Sequence, residues 1–142
     1  MKDFIHGKAD KAALSVAQKE KILDQIREYL RAKSEVMFAW THGSFVEERQ
    51  FRDVDVAVYL NREGTLDEAI AWAVELERAI AYPVDVTFLN SAPLAFRFHV
   101  SQGVLLLCRD EDRKDSFLTQ TWDAYFDFRP VAMRHLREVL YG

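Results

Sequence analysis

The sequence predicts a small α/β or α+β domain in which helices layer one sheet. Three observations predict it. Stretches with apolar residues at helical spacing alternate with short apolar runs of strand type. Two of the helix starts carry the reciprocal Ser/Thr-x-x-Glu/Gln capping pattern. The chain has 142 residues, the length of a single domain, read here as 1–142.

Each element follows in order. Ser15-x-x-Gln18 is the first capping box. Behind it Ile22, Leu23, Ile26, Tyr29 and Leu30 recur at helical spacing, so a helix is expected to about Lys33. Val36 to Trp40 is a short strand. Val54 to Leu60 is a second one of period two, with Val54, Val56, Val58 and Leu60 on one face and Asp53, Asp55, Ala57 and Tyr59 on the other. Gly64 and Thr65-x-x-Glu68 open a helix whose stripe is Leu66, Ala69, Ile70, Ala73, Leu76 and Ile80. It must stop near Tyr82, ahead of Pro83. Val84 to Leu89 is a third strand. Ser91 to Gly103 alternates like a strand at Leu94, Phe96, Phe98 and Val100, yet Ser91 suits an N-cap, Pro93 a first turn and Gly103 a C-terminus. Helix is the reading. Val104 to Cys108 is a fourth strand. A helix from Asp112 to about Phe128 follows, and Pro130 restarts a last helix to Leu140.

Composition narrows the function classes. With 49% hydrophobic and 30% charged residues the profile is that of a soluble globular protein. A net charge of −4 offers no basic field for a nucleic-acid backbone. The single cysteine, Cys108, sits in the apolar run VLLLC and reads as a buried thiol in a reducing, cytoplasmic compartment. The N-terminus shows no signal-peptide pattern, and no apolar stretch approaches the roughly 20 residues of a membrane span.

The chemistry lies in the aspartates. Asp53 and Asp55 are two apart on a strand, so they leave the same face, roughly 6.6–6.8 Å apart along the backbone. Carboxylates that close repel unless a cation or a proton lies between them, and Mg²⁺ is the natural oxygen-bound cation. Asp85 interrupts the third strand in the same way, flanked by Val84 and Val86. If the two strands are neighbours and Asp85 points to the same side, three carboxylates converge as a two-metal phosphoryl-transfer site requires. Gly43 and Ser44 follow the first strand. A glycine lets backbone approach a ligand closely, and a helix beginning at Ser44 would aim free N–H groups at a phosphate. A DxD alone is more often a solvated strand end. The conjunction of strand, Gly-Ser, short loop, DxD, capped helix and third-strand aspartate is far more specific.

In this order, GS…DVD…VDV resembles the minimal nucleotidyltransferases (MNT) of the DNA polymerase β superfamily, antitoxins often paired with HEPN-domain toxins. The resemblance covers about Val36 to Asp110, the expected core of the domain. It implies a small mixed sheet with flanking helices, Gly43 and Ser44 as the nucleotide-binding pair, and Asp53, Asp55 and Asp85 as catalytic metal ligands for Mg²⁺, two ions with ATP as substrate. It further implies transfer of AMP to a hydroxyl, a tyrosine of a HEPN toxin partner. Two alternatives stand beside it: an antitoxin that neutralises its partner by binding alone, and a transferase for a small molecule of the aminoglycoside type. Homo- and hetero-oligomers both stay open. The sequence departs from the family in the loop FVEERQFR, which is short and lacks the usual glycine, and in His42, where a bulky apolar residue is usual.

Other candidates are weaker. Arg49 and Arg52 could reach a triphosphate from the loop but read first as solvated surface, as do Arg97 and Arg109. Arg129 and His135 form the R-x5-H spacing of HEPN ribonucleases, but the chain has no room for a second helical bundle. The tract FLTQTWDAYFDF is either a helix covering the core or a docking face for a partner.

Overall fold

The structure, a computed structural model, describes residues 12–141. Its elements are β1 (Ala12–Ala13), α1 (Val16–Arg31), β2 (Val36–His42), α2 (Ser44–Glu47), β3 (Gln50–Phe51), β4 (Val54–Leu60), α3 (Leu66–Ile80), β5 (Val84–Phe88), α4 (Leu94–Val100), β6 (Val104–Cys108) and α5 (Glu111–Tyr141), with a turn of 3₁₀ helix at Leu89–Ser91. Four strands form a mixed sheet in the order β5-β4-β2-β6. β4 and β5 run parallel, joined through α3, and the other pairs are antiparallel. β1 and β3 form a separate two-stranded pair, which the sequence reading did not anticipate because two-residue strands have no periodicity. Among the described residues no helix is long and apolar enough to cross a membrane.

Both predicted capping boxes are present. The Gln18 amide donates to Ser15 Oγ at 3.1 Å while the Ser15 amide donates to Gln18 Oε1 at 2.8 Å. Glu68 and Thr65 exchange the equivalent pair, both at 3.1 Å. The period-two pattern of β4 also holds. Val54, Val56, Val58 and Leu60 are buried in the larger core, with Ile26 and Leu30 of α1 and Leu76 of α3. The opposite face carries a second core of Phe38, Trp40, Ala57, Val100 and Phe117, under α4 and α5. The central strands are therefore packed on both sides, while Asp85 on β5 and Val104 and Leu105 on β6 are exposed at the margins of the sheet.

Several boundaries differ from the sequence reading. β2 runs on to His42, because His42 still pairs with Asp55. β5 stops at Phe88. The next residues turn so that the Asn90 side chain can bridge the Leu60 backbone, accepting from its amide at 2.9 Å and donating to its carbonyl at 2.8 Å. Pro93, not Ser91, therefore takes the N-cap position of α4. α3 ends at Ile80, with Ala81 in the left-handed conformation at φ 66°. Leu66 and Ile70 face solvent, and Trp72 takes the buried place in that stripe.

The largest departure is α5, which runs unbroken through Pro130. Proline removes one ladder bond and crowds the preceding turn, at a cost of about 3 kcal/mol. Here Phe126 to Pro130 are all exposed, so water can take the carbonyl that proline leaves unpaired.

The two faces of α3 give the first test. Leu76 is fully buried, so Leu76→Ala should lose about 2–5 kcal/mol in urea unfolding. Leu66→Ala, at a position 76% exposed, should stay within about 0.5 kcal/mol of wild type.

Candidate active site

The sheet register assembles the site. β2, β4 and β5 lie side by side, so that His42 is the partner of Asp55 and Asp55 the partner of Asp85. Register partners leave the same face, on strands about 4.7–4.9 Å apart. The condition set by the sequence, neighbouring strands with Asp85 on Asp55's side, is thus met. The Thr41 hydroxyl donates to the Asp55 carbonyl at 2.9 Å and fixes β2 against β4 at this point.

The carboxylates sense one another. Asp55 is half-buried, and its carboxyl is pushed up to about 7, first by burial and then by the negative charges of Asp53 and Asp85. Asp53 is half-buried and Asp85 exposed. Among the described residues no three His, Cys, Asp or Glu side chains are already closed into a metal-holding cluster. The three aspartates are near enough to repel but not gathered onto a point.

Gly43 stands directly against this group. Its φ is 78°, a conformation that favours glycine. A Cβ at this position would lie 2.4 Å from Asp55 Oδ2. α2 then begins at Ser44, as predicted, but makes only one turn, its Val46 and Glu47 amides donating to the Gly43 carbonyl at 3.1 and 3.0 Å. The amides of Ser44 and Phe45 are the ones a helix start leaves without an internal partner.

Sequence reasoning missed what holds this turn. Lys19, on α1, donates to the carbonyls of Phe45 at 2.7 Å and Glu48 at 3.0 Å, and its ammonium lies 5.2 Å from the Phe45 ring centre. Phe45 and Phe51 are each 1% exposed and meet edge to face. The loop FVEERQFR is thereby pinned at both ends. A lysine on an amphipathic helix reads as solvated, so nothing in the sequence marked Lys19.

The family model for polymerase beta nucleotidyltransferases matches residues 24–112, from α1 into α5. The chain belongs to this family. No curated protein is significantly similar to it in sequence. Its fold is similar to that of a chain in a solved structure of a tri-AMPylated Shewanella oneidensis HEPN toxin in complex with MNT antitoxin. There the identity is 20% and the TM-score 0.72, over 86% of this chain and 98% of that one. It is similarly close to a chain of the toxin–antitoxin MntA–HepT (20% identity, TM-score 0.71, 85% and 98% covered). A toxin–antitoxin crystal structure with AMP-PNP compares at 22% identity and TM-score 0.73, with 83% and 98% covered. These likenesses establish the shared nucleotidyltransferase fold.

Around the three aspartates the remaining candidates sort by contact. His42 is 8% exposed, with ring centres 5.4 Å from Phe96 and 5.8 Å from His99, both on α4. Its imidazole is lowered to about 4, by burial first and then by His99, against an upward pull from Asp85. It is therefore a neutral wall of the site at ordinary pH. Arg49 and Arg52 are exposed. Arg97 instead binds the carbonyls of Leu89 and Asn90, and Arg109 those of Arg31, Lys33 and Val36, so both staple backbone. Cys108 is only partly buried, short of the fully buried thiol its apolar run suggests, and burial still raises its thiol, which leaves it unactivated.

Two outcomes follow. Gly43→Ala places a methyl on the Asp55 carboxylate in a strained backbone, and should reduce nucleotide binding below detection in calorimetry while the fold persists by circular dichroism. Asp55 binds its proton more tightly folded than unfolded, so its charge removes stability as pH rises from about 4, the ordinary carboxyl value, to about 7. In metal-free buffer Asp55→Asn should melt above wild type at pH 8, and the difference should close toward pH 4.

Proposed function

We propose that this chain transfers AMP from ATP to a hydroxyl, a tyrosine of a partner HEPN toxin, and so acts as an antitoxin. One observation carries the reading: the parallel register that sets Asp55 beside Asp85, with Asp53 one residue ahead of β4 and Gly43 against the Asp55 carboxylate. Membership of the nucleotidyltransferase family supports the reaction class. The tri-AMPylated toxin and the AMP-PNP complex among its structural neighbours support AMP and the toxin as donor group and acceptor.

The residues present fit magnesium. Asp55, pushed toward its neutral form by burial first and then by the charges of Asp53 and Asp85, forms with those two carboxylates the donor set a hard divalent cation satisfies. Asp53, Asp55 and Asp85 would hold it, and when bound it supplies neutralisation of the charge on the triphosphate and departing pyrophosphate. The chain's own groups do the rest. The Ser44 and Phe45 amides and the Ser44 hydroxyl bind phosphate oxygens. Asp85, exposed at the sheet margin, accepts the proton of the incoming hydroxyl. His42, neutral and walled by Phe96, excludes water beside Asp55.

Calorimetry with ATP and Mg²⁺ should give binding that Asp53→Asn weakens sharply. Co-expression with the protein encoded next to it should add one or more AMP masses to that neighbour, seen by intact mass spectrometry and lost with Asp53→Asn. A neighbour that stays unmodified, yet is neutralised equally by wild type and Asp53→Asn, would show that binding alone suffices.

A further inference from the structure

We infer that the outer edge of β5 docks the acceptor, which enters as an extended segment and pairs there as a further strand; this rests on the transfer reading above and concerns how its hydroxyl is presented. β5 is an outer strand of the sheet, and its pairing with β4 fixes which way its main chain turns. The Val54 amide donates to the Pro83 carbonyl at 2.9 Å. Alternate residues of a parallel ladder follow suit. Asp85 and Thr87 therefore turn their main-chain groups to β4, while Val84, Val86 and Phe88 turn theirs outward. The Val84 amide donates to Glu77 Oε1 at 3.1 Å. The Val84 and Val86 carbonyls and the Val86 and Phe88 amides have no hydrogen-bond partner among the described residues. The other outer strand is blunted against such pairing. The register of β6 shifts against β2, and Arg27 on α1 donates to the Leu106 carbonyl at 3.1 Å.

Side chains of an added strand also find room here. A groove of about 410 Å³ runs along the edge of β5 between the starts of α3 and α4, lined by Leu66, Ala69, Val86, Phe88, Pro93 and Phe96. Phe96 also meets the His42 ring, with centres 5.4 Å apart, so the groove reaches the wall of the site. Free main-chain groups at strand spacing beside an apolar groove suit an added strand, in which backbone gives the pairing and alternate side chains the selection. Register then places the chemistry. A residue paired opposite Asp85 leaves the same face as Asp85, so a hydroxyl carried there comes beside the carboxylates. The next two residues fall opposite Val86 and Thr87, one against Leu66 and Ala69 and the other against Pro93 and Phe96. The occupant is thus an extended segment of the acceptor protein with a hydroxyl residue beside two apolar ones. Its hydroxyl oxygen bonds the α-phosphorus of ATP, pyrophosphate leaves, and the hydroxyl proton passes to Asp85.

The test uses the full chain and the protein encoded next to it. Adding that neighbour should slow hydrogen exchange about tenfold or more at the Val86 and Phe88 amides. The Asp85 and Thr87 amides, already paired in the ladder, should change little. Leu66→Glu, at an exposed position, should keep the melting transition and ATP binding but raise the KM for the neighbour about tenfold. Val86→Pro removes one outward amide and no ladder bond, and should raise the same KM. A neighbour that takes AMP from wild type while Val86 and Phe88 exchange as before overturns the docking mode and leaves transfer standing. An unchanged KM in both variants does the same. A neighbour that takes no AMP from wild type overturns the transfer reading and this docking mode with it.

Discussion

The repulsion between carboxylates on adjacent strands is the constraint around which this domain is arranged. Asp55 and Asp85 are register partners in a parallel pair, and Asp53, just ahead of β4, adds a third charge. A sheet selected for stability alone would place apolar or opposite charges there, because like charges directly across a strand pair are destabilising. The surrounding structure carries this cost. Both faces of the sheet are packed, the β2–β4 pair is tied at Thr41, and the Gly-Ser turn is anchored through Lys19. The glycine is what makes the arrangement sterically possible, since any side chain at position 43 would occupy the space of the Asp55 carboxylate.

Much of this was legible in the sequence because it is written in local patterns. The two capping boxes need only four residues each to declare a helix start. The faces of β4 follow from strict alternation, which has a single physical meaning on a pleated strand. The Gly-Ser pair and the three aspartates could be picked out because each interrupts an apolar run. That Asp85 would lie beside Asp55 was a conditional statement, since strand order and register are set by packing among distant segments.

What stayed hidden was long-range or depended on exposure. Lys19 is separated from the carbonyls it binds by the rest of its own helix and the whole of β2, so no short window of sequence contains the interaction. Arg97 and Arg109 were weighed for phosphate, while their guanidinium groups cap nearby backbone instead. Leu66 and Ile70 fit the helical stripe of α3 but lie just outside the buried arc, where Trp72 fills the space. Pro130 was read as a break because helix interiors usually refuse proline. The rule counts a lost bond and a crowded turn, and in this exposed stretch of α5 water can take the carbonyl left unpaired.

The position of β5 at the margin of the sheet has a consequence for what can reach the site. α4 and α5 roof one face of the central strands, but Asp85 stands on the outermost strand and is exposed. The aspartates therefore occupy a ledge, open sideways, and not the floor of a pit. A bulky molecule can draw level with Asp85 without any described segment swinging aside. On a ledge, size sets no upper limit on what may be presented, and selection passes from the shape of a cavity to the fit of one whole molecular flank against another.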